Sequence, residues 1–153
     1  MAFDAFLQID GIDGEAADDA HKGQIDVQSW SWGATNSGSV GSGGGGGAGK
    51  VAFQDFHVTK AVDAASPSLM LACATGQHIK SAKLFIRRAS GGPDYLVYTL
   101  TDVLVSLFEE HGATGDAPGE DIAFRYRRVE MAYTTAGGQT MKASWDLATG
   151  KKV

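Results

Sequence analysis

Alternation of apolar and polar side chains predicts β-strands along most of this chain. Residues 3–9 place apolar side chains at every second position, and residues 140–147 show the clearest alternation in the sequence. A period of two is typical of a strand with one buried face. Phe6 lies on the polar side of the first strand, which indicates that the second face of this strand is covered as well.

Further apolar runs bring the total to seven or eight strands. Turn residues at 90–94 separate two of these runs and predict a hairpin. The run at 95–108 is apolar at both parities, so it is buried on much of both faces or bends midway. The polar segment Glu109–Asp121 contains glycine and proline and predicts a loop. The remaining strands are predicted at 24–33, 51–60, 83–88 and 122–134.

Two of these strands change the side on which their apolar residues lie. The apolar residues before Gln28 share one parity, whereas Trp30 and Trp32 have the other. Because side-chain direction alternates strictly along a strand, this change predicts a bulge or corner around Gln28. A similar change falls between Phe53 and Phe56.

One segment, Ser66 to Gly76, predicts a short helix. Ser66 is a suitable N-cap, Pro67 fits the first helical position, and Gly76 is a natural C-terminal stop. The residues between them are mostly apolar and uncharged, which favours a helix buried against a sheet. Cys73 is interpreted as a small core residue, since no basic neighbour favours its thiolate. The whole pattern indicates a mainly β fold with antiparallel pairing, either a closed barrel or a sandwich.

Composition changes this picture little. A chain of 153 residues is long enough for one domain, residues 1–153, with its own core. The net charge of -5 argues against nucleic acid as a partner, and a single cysteine excludes an internal disulfide. The N-terminus lacks the pattern of a secretory signal, and no apolar run approaches the length of a membrane span.

Glycine is the exception, with 21 residues in the chain and five in a row at Gly43–Gly47. Glycine loses more conformational freedom on ordering than any other residue. The long loop at 33–50 is therefore expected to be flexible in an isolated domain, and such loops are usually functional or disordered. The open question is what orders it.

The same loop contains an accidental match to a phosphate-binding motif. Residues Gly44 to Lys50 satisfy G-x-x-x-x-G-K. The next residue is Val51 rather than serine or threonine, and a strand-like run follows instead of a helix whose N-terminus would face a phosphate. Nucleotide binding is not predicted, and no other cofactor is expected.

Titratable residues do not converge on a site. Glu15, Asp18, Asp19 and His21 share one segment, but their spacing fits no standard metal site, and a solvated loop explains them. A catalytic site needs convergent titratable groups. The other histidines are scattered and are interpreted as structural or solvated, so no metal site, catalytic residue or enzyme activity is predicted. They are His57, His78 and His111.

Taken in order, these segments resemble the Hcp (haemolysin-coregulated protein) family, which builds the inner tube of bacterial type VI secretion systems. The resemblance covers almost the whole chain, and its ordered series is highly specific. It rests on Gly14-Glu15, Asp18, His21, Ile25-Asp26-Val27, Ser29-Trp30-Ser31-Trp32-Gly33, Gly49-Lys50-Val51, Gln54-Asp55, Thr59-Lys60, Asp63, Ser66-Pro67, Leu69-Met70, Ala72-Cys73, Gly76, His78, Val103-Leu104-Val105-Ser106 and Trp145-Asp146.

The resemblance implies an antiparallel β-barrel of two sheets with one short flanking helix, similar to the tail-tube proteins of contractile phages. It implies homohexameric rings that stack into a tube, a contractile sheath that propels the tube, a spike protein that caps it, and effector proteins carried in the lumen. It also implies assembly in the bacterial cytoplasm and export without a signal peptide. The sequence departs from the family pattern at Glu109–Asp121 and at Arg125–Arg128.

Three groups of residues are candidates for these roles. Ser29 and Ser31 lie opposite the indoles of their strand and are candidates for a lumen face that holds cargo, or else are ordinary surface serines. We expect Trp30, Trp32 and Trp145 to lie in the core. The candidate assembly loop, to be ordered by a neighbouring subunit, comprises Gly33, Gly43, Gly44, Gly45, Gly46, Gly47, Gly49 and Lys50.

A different class of function remains open at this point. Indoles two positions apart on a strand form a stacking platform in some carbohydrate-binding modules, and Trp30 and Trp32 have that spacing. Such residues are more often core. The alternative is therefore a secreted β-sandwich that binds a ligand such as a carbohydrate, and it predicts a monomer instead of a ring.

Overall fold

A computed structural model describes residues 2–40 and 50–153 of the chain. These residues form eleven strands and one helix. The strands are β1 (Phe3–Ile9), β2 (Ile25–Val27), β3 (Ser29–Ser31), β4 (Ala34–Asn36), β5 (Val51–Phe53), β6 (Phe56–Ala61), β7 (Ile79–Arg88), β8 (Asp94–His111), β9 (Gly119–Thr134), β10 (Thr140–Asp146) and β11 (Lys151–Lys152), and the helix is α1 (Ser66–Thr75).

The strands form two sheets, and every pair is antiparallel. Nine strands make one sheet in the order β11-β10-β9-β8-β7-β1-β2, with β3 paired to β6 and β6 paired to β9. The other sheet consists of β4 and β5 alone. The mainly β class with one short helix is thus confirmed.

The expected closure into a barrel is not present in the described part of the chain. Strand β2 pairs with β1. The strand is interrupted at Gln28, and the chain continues as β3, which pairs with β6 instead. A hydrogen bond from the Gln28 N–H to the Thr59 carbonyl oxygen, at 2.8 Å, lies at this break. The predicted change of face around Gln28 is therefore confirmed, and it is also the place where the sheet stays open.

The long hairpin of β8 and β9 is the spine of the fold. One edge of β9 pairs with β8, while its other edge pairs with β6 over its first half and with β10 over its second half. The buried face changes in β8 between Leu100 and Val103, where Asp102 adopts a left-handed φ of 57°, and in β9 between Tyr126 and Val129. Of the two alternatives for the run at 95–108, apolar at both parities, the structure shows the change of direction midway along the strand.

The predicted loop at Glu109–Asp121 is shorter than expected. Strand β8 continues to His111 and β9 begins at Gly119, with Glu110 opposite Glu120 in the ladder. The expectation rested on the polarity of these residues. It was wrong because Glu120 is polar yet fully buried, with its charge balanced by a residue from another strand.

That residue is Lys60, which is also fully buried. Its Nζ lies 2.5 Å from Glu120 Oε1 and 2.8 Å from Asp63 Oδ1. The Ser66 hydroxyl donates to Glu120 Oε1 at 2.8 Å. Buried charges of this kind are tolerated when they are paired and hydrogen-bonded. The cluster joins β6, β9 and the start of α1.

The start of α1 differs from the sequence expectation for the same reason. Ser66 is not the N-cap, because Ala65 precedes the helix and no side chain caps it. The Ser66 hydroxyl is instead turned into the buried cluster, where it also accepts the Asp63 N–H at 2.9 Å. Pro67 lies in the first turn, and Gly76 ends the helix with a left-handed φ of 68°, both as predicted.

The second face of β1 is covered, as Phe6 indicated. Phe6 is buried, His21 stacks on it with a centroid distance of 4.4 Å, and the Arg87 guanidinium lies 5.0 Å above its ring. His21 is therefore not part of a solvated loop. It is 4% exposed, and its ring nitrogens lie within 2.9 Å of Gln24 and Asp94.

Candidate assembly surface

Ser29 and Ser31 lie on an exposed face of the sheet formed by β3, β6, β9 and β8. Residues directly opposite in neighbouring strands share a face, and two rows cross these four strands. One row is Ser29, Thr59, Asp121 and Glu109, and the other is Ser31, His57, Ala123 and Leu107. We call this surface the serine face.

The serine face is built for hydrogen bonding. The Thr59 hydroxyl donates to Asp121 at 3.0 Å, while both serines are exposed and form no side-chain hydrogen bond with the described residues. A depression of about 600 Å³ between Ser31, His57 and Glu109 follows the rows. Its hydroxyl, imidazole and carboxylate groups suit polar segments of another protein.

The two indoles of this segment point the opposite way. Trp30 packs against Phe56 and Tyr98, with ring centroids 6.1 and 5.1 Å apart, and Trp32 packs against Phe53 at 5.9 Å. Both indoles are half-buried against the core. Both rings pack against other aromatic rings, an arrangement typical of core residues, and Trp32 also lines the groove beside Trp145.

Trp145 packs at the edge of the same aromatic cluster. Its ring lies 6.4 Å from that of Phe53, and the side chain is half-buried against the core. A groove of about 560 Å³ opens beside it. Most of its lining residues are apolar, and Lys142 and Lys152 also line it. Trp145 thus belongs partly to the core and partly to the surface.

Strands β4 and β5 form the root of the predicted assembly loop, and we call this two-stranded segment the arm. Gly33 precedes it, while Lys50 pairs across it through its carbonyl oxygen, which accepts the Ser37 N–H at 3.3 Å. Every residue of β4 is exposed, and so is Val40. The five glycines Gly43, Gly44, Gly45, Gly46 and Gly47, together with Gly49, lie outside the described residues.

The base of the arm is tied to the main sheet by hydrogen bonds. The Trp32 indole Nε1–H donates to the Tyr126 hydroxyl at 2.5 Å, and that hydroxyl donates to the Gln54 carbonyl oxygen at 2.8 Å. The Gln54 N–H donates to the Gly33 carbonyl oxygen at 2.9 Å. Burial raises the pKa of Tyr126, so the hydroxyl stays protonated as a donor. Sequence reasoning did not find Tyr126, because it sits in a strand far along the chain.

The serine face ends in two strand edges that lack a partner within the described residues. Strand β3 is paired along one side, with β6. Strand β8 is paired with β7 as far as Val103, so Leu104–His111 has β9 on one side and no strand on the other. Unpaired edges are templates for pairing with another chain.

The basic segment of β9 is explained by carboxylates on adjacent elements. Arg127 Nε lies 3.6 Å from Asp146 Oδ2, and Arg128 Nη2 lies 3.4 Å from the same oxygen. Arg125 Nη2 lies 3.5 Å from Asp55 Oδ2. The Thr149 N–H holds the pKa of Asp146 below its ordinary value, aided by the Ala148 N–H and Arg128. Arg127 and Arg128 therefore join β9 to the end of β10, whereas Arg125 contacts the segment between β5 and β6.

The histidines of the described residues lie apart from one another. His57 is exposed on the serine face, His78 Nδ1 lies 2.9 Å from Asp102, and His111 Nε2 lies 3.8 Å from Asp121. Residues 2–40 and 50–153 contain no group of three or more histidine, cysteine or acidic side chains able to hold a metal ion. Across these same residues, no helix has both the length and the apolar character needed to cross a membrane.

Comparison with known proteins shows to which family the chain belongs. A family model described as type VI secretion system effector, Hcp, matches residues 6–133. Over 156 aligned residues the chain is 41% identical to protein hcp1 of Pseudomonas aeruginosa, and the alignment covers 96% of both chains.

Solved structures agree with this match. The structure superposes on Hcp1 from Salmonella typhimurium with a TM-score of 0.87 and 36% identity, over the whole of both chains. A structure described as a type six secretion system protein matches with a TM-score of 0.92 and 36% identity, covering 99% of this chain and all of the other. The chain belongs to the Hcp family of type VI secretion tube proteins.

Proposed function

We propose that the chain is a structural subunit, not an enzyme, of a type VI secretion inner tube. Residues 1–153 form one tube domain that carries the arm. Six copies close into a ring, and rings stack into a tube that a contractile sheath expels behind a spike protein. The tube is assembled in the bacterial cytoplasm and is delivered to the extracellular space or a target cell. The observation that carries this proposal is the pair of unpaired edges that bound the serine face.

The edges favour a closed ring on physical grounds. An unpaired strand exposes backbone N–H and C=O groups, and pairing β8 of one copy with β3 of the next satisfies them. Contacts between two different surfaces of the same chain are heterologous, so they repeat from copy to copy and form a ring when the rotation closes. The serine face then lines the inside of the ring as a continuous sheet surface.

The mass of the particle in solution tests the ring. Light scattering coupled to size exclusion is expected to give about 96 kDa, six times the 16.0 kDa of one chain, and negative-stain images are expected to show rings. A monomer of 16.0 kDa would contradict the proposal and return the chain to the class of ligand-binding modules.

A lumen lined by the serine face suits effector proteins as cargo. Exposed hydroxyl groups offer donors and acceptors to a polar partner without imposing a charge. The family supports effector carriage as a general role, and Ser29 and Ser31 are the residues whose position on this face supports it here.

Replacing Ser31 with tryptophan is expected to reduce the effector retained by the ring several-fold, because the indole fills the depression beside His57. The measurement is the amount of effector that co-purifies with rings from the producing bacterium, normalised to ring mass. Ser90→Trp is the matched control, since Ser90 is also exposed but lies in the turn between β7 and β8. Equal cargo in wild type and Ser31→Trp would remove the support for a cargo role of this face.

We further propose that the assembly loop, from Gly33 to Lys50, is ordered together with the arm at its root by a neighbouring subunit in its own ring or the next. An isolated two-stranded hairpin is at best marginally stable in water. Strand β4 is exposed throughout, and the Val40 side chain is fully exposed beyond it. Contacts with another copy would cover these residues and offset the cost of ordering the glycine-rich segment.

A further inference from the structure

One buried hydroxyl group joins the two strands that lead into and out of the arm. The Tyr126 hydroxyl accepts the Trp32 indole N–H on the incoming side and donates to the Gln54 carbonyl oxygen on the outgoing side. Residue 32 precedes β4 and residue 54 follows β5, so the two contacts bracket the arm. The hydroxyl group thus acts as an acceptor in one hydrogen bond and as the donor in the other.

The position of Tyr126 makes this contact rigid. Tyr126 is 5% exposed and lies in β9, paired with Val103 of β8 beside the corner of the spine. Its ring is therefore fixed relative to the main sheet, and the hydroxyl transfers that orientation to the base of the arm. A hairpin with three residue pairs does not fix its own direction.

Phe53 of β5 also packs against Trp32 and Trp145, but the other hydrogen bonds and ion pairs of the described residues at the base of the arm do not join both of its sides to the sheet. The Ser106 hydroxyl donates to Asp55 at 2.7 Å, and Arg125 lies 3.5 Å from the same carboxylate, so this group anchors the outgoing strand. The hydrogen bond between Gly33 and Gln54 joins the two strands to each other, not to the sheet. Tyr126 touches both strands and belongs to the sheet.

We propose that Tyr126 is the positioning residue that sets the direction of the arm relative to the ring. This inference rests on the proposed function, in which the arm contacts a neighbouring subunit. The hydroxyl then sets the fraction of subunits in which the arm has the orientation that contacts the neighbouring subunit. It makes no contact with that subunit itself.

The substitution Tyr126→Phe removes the hydroxyl group and keeps the aromatic ring of the side chain. The matched control is Tyr98→Phe, because Tyr98 is 4% exposed, packs 5.5 Å from Trp32, and has no side-chain hydrogen bond to the described residues. Hydrogen exchange of the Gln54 amide and of the Trp32 indole N–H is expected to speed up about tenfold in Tyr126→Phe, the factor expected for losing about one net hydrogen bond. Exchange in the centres of β7 and β8 is expected to stay as in Tyr98→Phe.

The assembly readout is the protein concentration at which stacked rings appear in negative-stain images. We expect this concentration to rise about tenfold in Tyr126→Phe and to stay near wild type in Tyr98→Phe. Trp32→Phe serves as a second variant, since it removes the donor on the incoming strand and leaves Tyr126 in place. Both variants are compared at temperatures where circular dichroism shows them fully folded.

The two readouts separate the inference from the function beneath it. Exchange in Tyr126→Phe that matches Tyr98→Phe overturns the positioning role. Faster exchange at the base of the arm with unchanged assembly supports the positioning role and contradicts the assembly role of the arm. Faster exchange together with weaker assembly supports both.

Discussion

Replacing Lys60 with methionine is expected to lower the free energy of unfolding by about 3–5 kcal/mol, the usual cost of removing one partner from a buried ion pair. Lys60 and Glu120 are both fully buried, and Lys60 also contacts Asp63 and Ser66. Without the ammonium group, the Glu120 carboxylate keeps the Ser66 hydroxyl but loses its counter-charge. Urea titration of the unassembled protein measures the change.

Two further variants make this result interpretable. Lys83→Met removes an exposed lysine of β7 and is expected to change stability by less than about 0.5 kcal/mol. Lys60→Met combined with Glu120→Leu replaces both charges and is expected to recover most of the loss, because apolar replacements of buried ion pairs are often neutral or stabilising. A cost of Lys60→Met no greater than that of Lys83→Met would show that the pair does not stabilise the fold.

The buried pair also predicts a dependence on pH. Burial raises the pKa of Glu120, but hydrogen bonds from Lys60 and Ser66 outweigh it and hold the pKa below its ordinary value. A folded-state pKa below the unfolded one means that the contribution is present above about pH 4.3, the ordinary glutamate value, and is lost as the pH falls through the lower folded-state value. Wild type should therefore lose more stability than the double variant on acidification below this value.

Glu110, opposite Glu120 in the ladder, works in the other direction. The neighbouring Glu120 carboxylate raises the pKa of Glu110, with burial adding to it. Its contribution is complete below the ordinary glutamate pKa and is lost as the pH rises through the raised value. Because Glu120 is one member of both interactions, the double variant is expected to flatten both parts of the curve.

Deleting Gly43–Gly47 is expected to impair the assembly of rings into tubes while the monomer stays folded. The five residues belong to the assembly loop, and the strands, helix and buried core described above are built from other residues of the chain. Strand β4 at the root of this loop is exposed throughout, whereas the base of the arm is held to the main sheet within one subunit. Near-ultraviolet circular dichroism checks the fold, and negative-stain electron microscopy checks assembly.

A same-length replacement is the control for this deletion. Five serines at positions 43–47 keep the reach of the segment and change its composition, so assembly is expected to persist. Assembly lost in both variants would mean that glycine itself is required, because of its backbone freedom. Rings and tubes that form unchanged in the deletion variant would refute the assembly role of the segment.

Local patterns were a reliable guide wherever the physical cause is local. The change of apolar parity around Gln28 predicted the break between β2 and β3, since side-chain direction alternates along any strand. Gly76 predicted the end of α1 because glycine adopts the left-handed conformation without strain. The Hcp resemblance identified the family from an ordered series of such segments.

Predictions from polarity were wrong where a polar residue is buried by a partner that is distant in the sequence. Glu120 was read as part of a loop, and Ser66 as a helix cap, because nothing near them in sequence shows that Lys60 is buried between them. One signal was present: Lys60 has the same parity as Phe56 and Val58, which face the core. His21 was likewise read as solvated, although Phe6 from β1 stacks on it.

The sequence alone determined the mainly β class, the longer strands but not the short β4 and β11, the helix at Ser66–Thr75, and membership of the Hcp family. Alternation, turn chemistry and ordered motifs are properties of neighbouring residues. Tertiary structure decided which polar groups are buried, that the sheet stays open at Gln28, and that one hydroxyl on β9 holds both sides of the arm. These features depend on pairs up to 94 residues apart, such as Trp32 and Tyr126. Such pairs acquire their energies when folding removes water between them, and no local pattern records that event.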